Sequence, residues 1–154
     1  MQIRKAKIGD VPRIAEMAVD FNRYLDGIDR YYPLSKDLKK LFLDYFRKNI
    51  YSSGSLLLVA TDDEKIIGHA LAKILKTPLA WDKRPYGDIS FIYLEEKYQR
   101  MGIADAFLSR IYKWFKEKKI KEVELTVLKK NTQARKAWKK YGFQDYYLRL
   151  RKKI

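Results

Sequence analysis

Residues 98–107 read Tyr98-Gln99-Arg100-Met101-Gly102-Ile103-Ala104-Asp105-Ala106-Phe107, with a glycine placed where a helix is about to begin. Glycine weakens a helix by about 1 kcal/mol relative to alanine, and the residues that follow are good helix formers. Gly102 therefore needs a reason. The first turn of a helix carries backbone N–H groups without intrahelical partners, and the dipole makes that end positive. A phosphate or diphosphate can rest there. A side chain at 102 would keep an anion from the main chain; Ala104 adds little bulk and Arg100 adds positive charge. The competing explanation is a glycine that only permits the turn from strand to helix.

The flanking pattern supplies that strand and that helix. Residues 88–96 are rich in β-branched and aromatic side chains, as a strand requires. From about 101 to 118, Ile103, Phe107, Leu108, Ile111, Trp114 and Phe115 recur at helical spacing. Residues 121–128 alternate as a strand, 131–141 form a short helix that Gly142 ends, and 143–153 alternate again as a closing strand. Upstream, residues 2–8 alternate apolar and charged. Asp10 is placed to cap a helix carrying Ile14, Met17, Ala18 and Phe21. Ser35 or Asp37 starts a second helix with Leu38, Leu41, Phe42, Tyr45 and Phe46 on one face. Residues 55–61 and 66–75 pair as antiparallel strands, and 77–87 form a loop with two prolines. The order is β-α-α-β-β-β-α-β-α-β, a mixed α/β (α+β) layer protein. With 154 residues and no repeat or linker, the expectation is one domain spanning 1–154.

Composition narrows the chemistry. With no cysteine, disulfides, thiolate metal sites and a cysteine nucleophile are excluded; the single His69 excludes a multi-histidine metal site, so no metal is expected. His69 sits in an alternating stretch and reads as a histidine on a sheet face. The apolar runs are short, which gives no membrane span, and residues 1–10 lack an apolar signal core; a cytoplasmic protein is the expectation. The net charge is +15. A surplus of about +11 falls between Lys113 and Ile154, a surface that attracts polyanions or serves solubility.

Gln99-x-x-Gly102-x-Ala104, after a strand and opening a long amphipathic helix, resembles the Gln/Arg-x-x-Gly-x-Gly/Ala signature of the GNAT superfamily of acetyl-CoA-dependent N-acetyltransferases. Asn131-x-x-Ala134, Trp138 and Tyr141-Gly142-Phe143 resemble that family's asparagine helix ending in Gly-Phe, and residues 3–17 resemble its first strand and helix. The resemblance covers nearly the whole chain. It implies a central, mostly antiparallel mixed sheet flanked by helices, with the fourth and fifth strands splayed around acetyl-CoA, the co-substrate.

Carried over residue by residue, the resemblance assigns the coenzyme's pantetheine arm to the backbone of Ile92, Tyr93 and Leu94. It assigns the diphosphate to the loop and helix start formed by Gln99, Arg100, Met101, Gly102, Ile103, Ala104 and Asp105. Asn131 contacts the arm or orders the site, although asparagine is also a favoured helix N-cap. The Ile92 amide is the candidate oxyanion donor. Asp88, at the position of a catalytic glutamate in histone-type members, is the leading candidate for general base; Glu95, Glu96 and Glu124 are the others, with Glu95 and Glu96 read as solvated loop charges. The sequence departs from the family twice. Trp138 stands where a tyrosine general acid is frequent, leaving Tyr141 to substitute or to pack. Thr126 stands where some protein-acetylating members carry a glutamate.

The family's acceptor pocket maps onto loops holding Tyr24, Tyr31, Tyr32, Trp81 and Tyr86, with Asp26 and Asp29 available to an ammonium. The acceptor expected is a primary amine on a small molecule or a protein. Two further readings stay open: a nucleic-acid-binding or regulatory module, from Trp138, Tyr141, Tyr146 and Tyr147 among Lys and Arg, and a homodimer paired through the closing strand.

Overall fold

The structure is a computed structural model that describes residues 1–30, 33–78, 84–152 and 154. Among the described residues five strands form one sheet in the order β1-β2-β3-β4-β5. They are β1 (Gln2–Lys5), β2 (Ser55–Asp62), β3 (Lys65–Lys76), β4 (Pro85–Leu94) and β5 (Val123–Glu124). The first three pairings are antiparallel and β4–β5 is parallel. Among the described residues four α-helices flank the sheet: α1 (Val11–Ile28), α2 (Leu38–Ile50), α3 (Ile103–Glu117) and α4 (Thr132–Lys140). This is the mixed α/β arrangement expected from the sequence.

Strand alternation sends side chains to two cores. Leu57, Val59, Leu71 and the partly buried Phe91 and Tyr93 meet Ile14, Ala18 and Phe46 of α1 and α2. Leu58, Ala70, Ala72, Ile89 and Leu94 meet Phe107, Leu108, Ile111 and Phe115 of α3. His69 is fully buried on the α1–α2 side, with ring centroids 5.5 Å from Phe46, 5.9 Å from Phe91 and 6.0 Å from Tyr93. Among the described residues neither ring nitrogen has a hydrogen-bond partner. Burial pushes its pKa down to about 3, so the imidazole is neutral.

Four expectations are corrected. Asp10 does not cap α1 with its side chain: its carboxylate turns back to bind Arg4 at 2.7 and 3.0 Å and the Lys7 amide at 2.6 Å. Leu41 is 54% exposed, so the apolar face of α2 is narrower than its spacing implies. β5 is two residues long rather than spanning 121–128. The closing strand expected over 143–153 is not formed by its described residues: 143–152 carry no strand, and Tyr146, Tyr147, Leu148 and Leu150 are exposed. An alternating pattern selects a face but cannot supply a ladder partner, and β5 is too short to offer one. The dimer reading that relied on that strand loses its basis.

Candidate active site

β4 and β5 pair only at Gly87↔Val123 and Asp88↔Glu124, with the Gly87 amide donating to the Glu122 carbonyl at 2.9 Å. Beyond Asp88 the strands part. Gly87 is what lets β4 pass over α3 there: a Cβ on it would lie 2.5 Å from the Phe115 ring.

On its other side β4 stays paired with β3, and the register shift between Leu71 and Ala72 inserts Ser90 as a bulge residue. The Glu95 amide bonds the Ile67 carbonyl at 2.9 Å. Antiparallel pairs alternate between bonded and non-bonded. His69↔Tyr93 is therefore a bonded pair, while Ala70↔Ile92 and Gly68↔Leu94 are not. The N–H and C=O groups of Ile92 and Leu94 point away from β3, into the space between β4 and β5. Those of Tyr93 are spent on β3. The Leu94 carbonyl is occupied by the Gln99 side-chain amide, at 3.2 Å.

At the end of β4 a short 3-10 turn (Glu96–Tyr98) leads to Arg100 at φ 62° and Gly102 at φ 77°. Gly102 is the N-cap of α3, and among the described residues no side-chain cap bonds the first-turn amides. A Cβ on Gly102 would meet nothing within 4 Å. Its left-handed backbone explains the glycine, and the open space beside it leaves the amides approachable. Met101 is exposed, Ile103 is buried in the core and Ala104 is packed against it. A cleft of about 290 Å³ beside the α3 start is lined by Gln2, Ile3, Met101, Gly102 and Arg110. A larger cavity of about 500 Å³, lined by Glu16, Asp20, Leu34 and Lys39, shares no residue with the strand gap.

Asp88 sits where the strands divide. Gly87 and Ile89 face α3, so Asp88 projects to the α1–α2 side, directly opposite Glu124 and across from Lys73. The Ser90 hydroxyl donates to its Oδ2. The Tyr86 phenol is shifted upward by burial first, then by Glu124 and Asp88, which places both carboxylates in its field. Phe21, Phe42 and Tyr45 pack on Phe91, Phe21 also meets Tyr93, and together they continue this face.

Other candidates are placed differently. Glu95 is no solvated loop charge: its side chain is 17% exposed and bridges Arg13 at 2.6 Å and Lys65 at 3.4 Å. Asp26 is held by Arg30 at 2.6 Å, and Asp29 by Lys130 at 3.0 Å and Arg151 at 3.5 Å, so neither is free for an ammonium. Tyr24 is an exposed residue of α1. Tyr31, Tyr32 and Trp81 lie outside the described residues.

Asn131 is buried and caps α4, its Oδ1 accepting from the Ala134 amide at 3.1 Å. α4 closes through Gly142 at φ 88°, with Phe143 N–H to Trp138 C=O at 3.1 Å and Gly142 N–H to Lys139 C=O at 3.0 Å. Trp138 packs on Phe143 at 5.3 Å, which accounts for an indole at that position. The Tyr141 hydroxyl donates to Asp105 Oδ1 at 2.7 Å, joining the end of α4 to the first turn of α3. That bond, with burial, pushes the phenol up to about 12. Sequence reasoning missed this bond and the Ser90 bulge, since neither leaves a local signature.

A splayed parallel pair beside a glycine-opened helix defines an acyltransferase-type α/β fold. The chain matches the Acetyltransferase (GNAT) family over residues 17–143 and belongs to it. Among solved structures it is similar to a tetramutant of the BH1408 protein from Bacillus halodurans (20% identity, 100% of each chain, TM-score 0.86). It is also similar to a predicted acetyltransferase with acetyl-CoA from Clostridium acetobutylicum (25% identity, 97% of this chain and 95% of that one, TM-score 0.79). A third likeness is to the aminoglycoside antibiotic 6′-N-acetyltransferase AAC(6′)-Ig from Acinetobacter haemolyticus (20% identity, 100% and 99%, TM-score 0.77). No curated protein matches the chain by sequence.

Proposed function

We propose that the protein transfers the acetyl group of acetyl-CoA to a primary amine of a small-molecule or protein acceptor, by direct attack of the amine on the thioester. The observation that carries this reading is the strand gap, which leaves the Ile92 amide and carbonyl unpaired and ends at the uncapped start of α3. Extended amides suit such an edge, and a diphosphate suits such a helix start. The solved acetyl-CoA complex of the Clostridium acetobutylicum relative supports the same coenzyme here.

The coenzyme supplies an activated acyl carbon and a thiolate leaving group. The protein's residues do the rest. The Ile92 and Leu94 backbone aligns the arm, and Arg100 to Asp105 form the diphosphate cradle, with Gln99 bracing the loop through Leu94. As the amine nitrogen bonds the carbonyl carbon, the Ile92 N–H stabilises the negative charge on oxygen. Asp88, backed by Ser90, takes the ammonium proton directly or through water. The C–S bond then breaks, and the thiolate leaves unaided. Asn131 orders α4 beside the gap. Phe91, Tyr93 and Tyr86 line the acceptor side. Acetyl-CoA as co-substrate makes a cytoplasmic setting part of this reading.

Thiol release and acetyl incorporation over a panel of alkyl, aromatic, amino-acid and peptide amines test the proposal. Turnover with at least one class is expected, along with a raised Tm in acetyl-CoA. Tight coenzyme binding with no transfer to any amine overturns it.

A second reading keeps one supporting observation: Tyr146 and Tyr147 are 84% and 83% exposed beside Arg149 and Arg151. If that segment binds nucleic acid, retention of single-stranded RNA in a gel shift will fall steeply with salt.

A further inference from the structure

We propose that Tyr141 is a positioning residue for coenzyme binding: by holding the Asp105 carboxylate toward α4, it keeps the first turn of α3 open to the diphosphate. The inference rests on the reading of α3 as the diphosphate cradle.

Asp105 is the third residue of α3 and the acid of its first turn. A carboxylate at that position is attracted by the helix dipole and commonly folds back to the N-terminal amides. Such a carboxylate competes with an incoming diphosphate for the same donors and repels it. Among the described residues, no α3 amide donates to the Asp105 carboxylate. Instead Oδ1 accepts from the Tyr141 hydroxyl at 2.7 Å.

The tyrosine is itself fixed. It is the C-cap of α4, its amide donates to the Ala137 and Trp138 carbonyls, and Gly142 and Phe143 close the helix immediately after it. The phenol, pushed up to about 12, keeps its proton throughout the physiological range and stays a donor. The Arg135 and Lys139 cations nearby in the sequence are engaged with Asp145, not Asp105.

Calorimetry on the full chain tests this with two probes, coenzyme A and S-acetylpantetheine, which lacks the diphosphate. Tyr141→Phe is expected to weaken coenzyme A by roughly threefold to tenfold, the range for one partly exposed charge at a helix start. Asp105→Asn in that background is expected to restore the affinity. S-acetylpantetheine should bind all variants alike. An unchanged coenzyme A affinity in Tyr141→Phe overturns the inference, as does a loss that Asp105→Asn fails to restore. An equal loss with S-acetylpantetheine does so too, because it would mean that α4 had merely loosened. Should Tyr141→Phe fail to fold, Asp105→Asn alone carries the test: a coenzyme A affinity within about twofold of wild type is expected, and a gain of roughly tenfold overturns the inference, because Tyr141 would then not have been holding the charge away. A wild-type chain that binds no coenzyme A overturns the cradle reading itself, and this inference with it.

Discussion

Gly87 lies face to face with the Phe115 ring: a methyl group on the glycine would come within 2.5 Å of Cζ and 2.7 Å of both Cε atoms. Phe115 is 2% exposed and has nowhere to retreat. Gly87→Ala is expected to cost about 1–3 kcal/mol by overpacking. In a chain of this length that lowers Tm by roughly 3–10 °C. Phe115→Leu in the same chain should recover part of the loss, because the added methyl then has room. Thermal melts of the single and double variants check this; strict additivity would show that the two residues do not share the space.

His69 makes stability depend on acid. Its folded pKa is depressed to about 3 from 6.5, so the unfolded chain binds a proton that the folded chain refuses. The stabilisation is complete above about pH 6.5 and is lost as pH falls from there toward 3, at about 1.4 kcal/mol per pH unit. Urea midpoints at pH 7.5, 5.5 and 4.5 should fall steeply for wild type and much less for His69→Phe. Parallel curves for the two proteins would refute the assignment.

Gly102→Ala separates backbone strain from ligand access. At φ 77° a side chain costs about 1–2 kcal/mol, and nothing within 4 Å adds a clash. Unfolding should register only that modest loss. Coenzyme A affinity should drop further, roughly tenfold or more, since the methyl enters the space through which a phosphate reaches the amides. Calorimetry beside thermal melts distinguishes the two effects.

Asp88→Asn removes the proposed base while keeping its shape and the Ser90 contact. The turnover number is expected to fall by about 10²-fold or more, with coenzyme A affinity little altered. Glu124→Gln, a strand further out and exposed, should cost less. Equal turnover in Asp88→Asn and wild type would move the proton-accepting role elsewhere.

The elements that were legible in the sequence are those whose signal is local. The Gln99–Ala104 run, the apolar stripe of α3 and the Gly142 stop each depend on neighbours within a turn or two, and each is where its spacing placed it. The hairpin that joins residues 55–61 to 66–75 forms as β2 and β3, turning at Asp63 and Glu64, both left-handed. Apart from the Asp10 side chain, which turned to nearby Arg4 and Lys7, the failures in the sheet and the site were long-range. No pattern within residues 143–153 reveals whether a neighbouring edge will receive them. Glu95 looks solvated until Arg13, 82 positions away, is folded against it. The pairing of Tyr141 with Asp105 spans 36 positions. Asn131 and Trp138 were recognisable as site markers, but their contacts, a cap and a helix closure, required the fold.

The two-residue pairing between β4 and β5 carries one more consequence. By strand order β4 is interior, yet past Asp88 one flank of it is a bare rim. Rims of this kind recruit foreign strands and seed misassembly. A coenzyme seated along it would act as a protective cap as well as a reactant, so aggregation on storage should be slower in its presence, even where no acceptor is supplied.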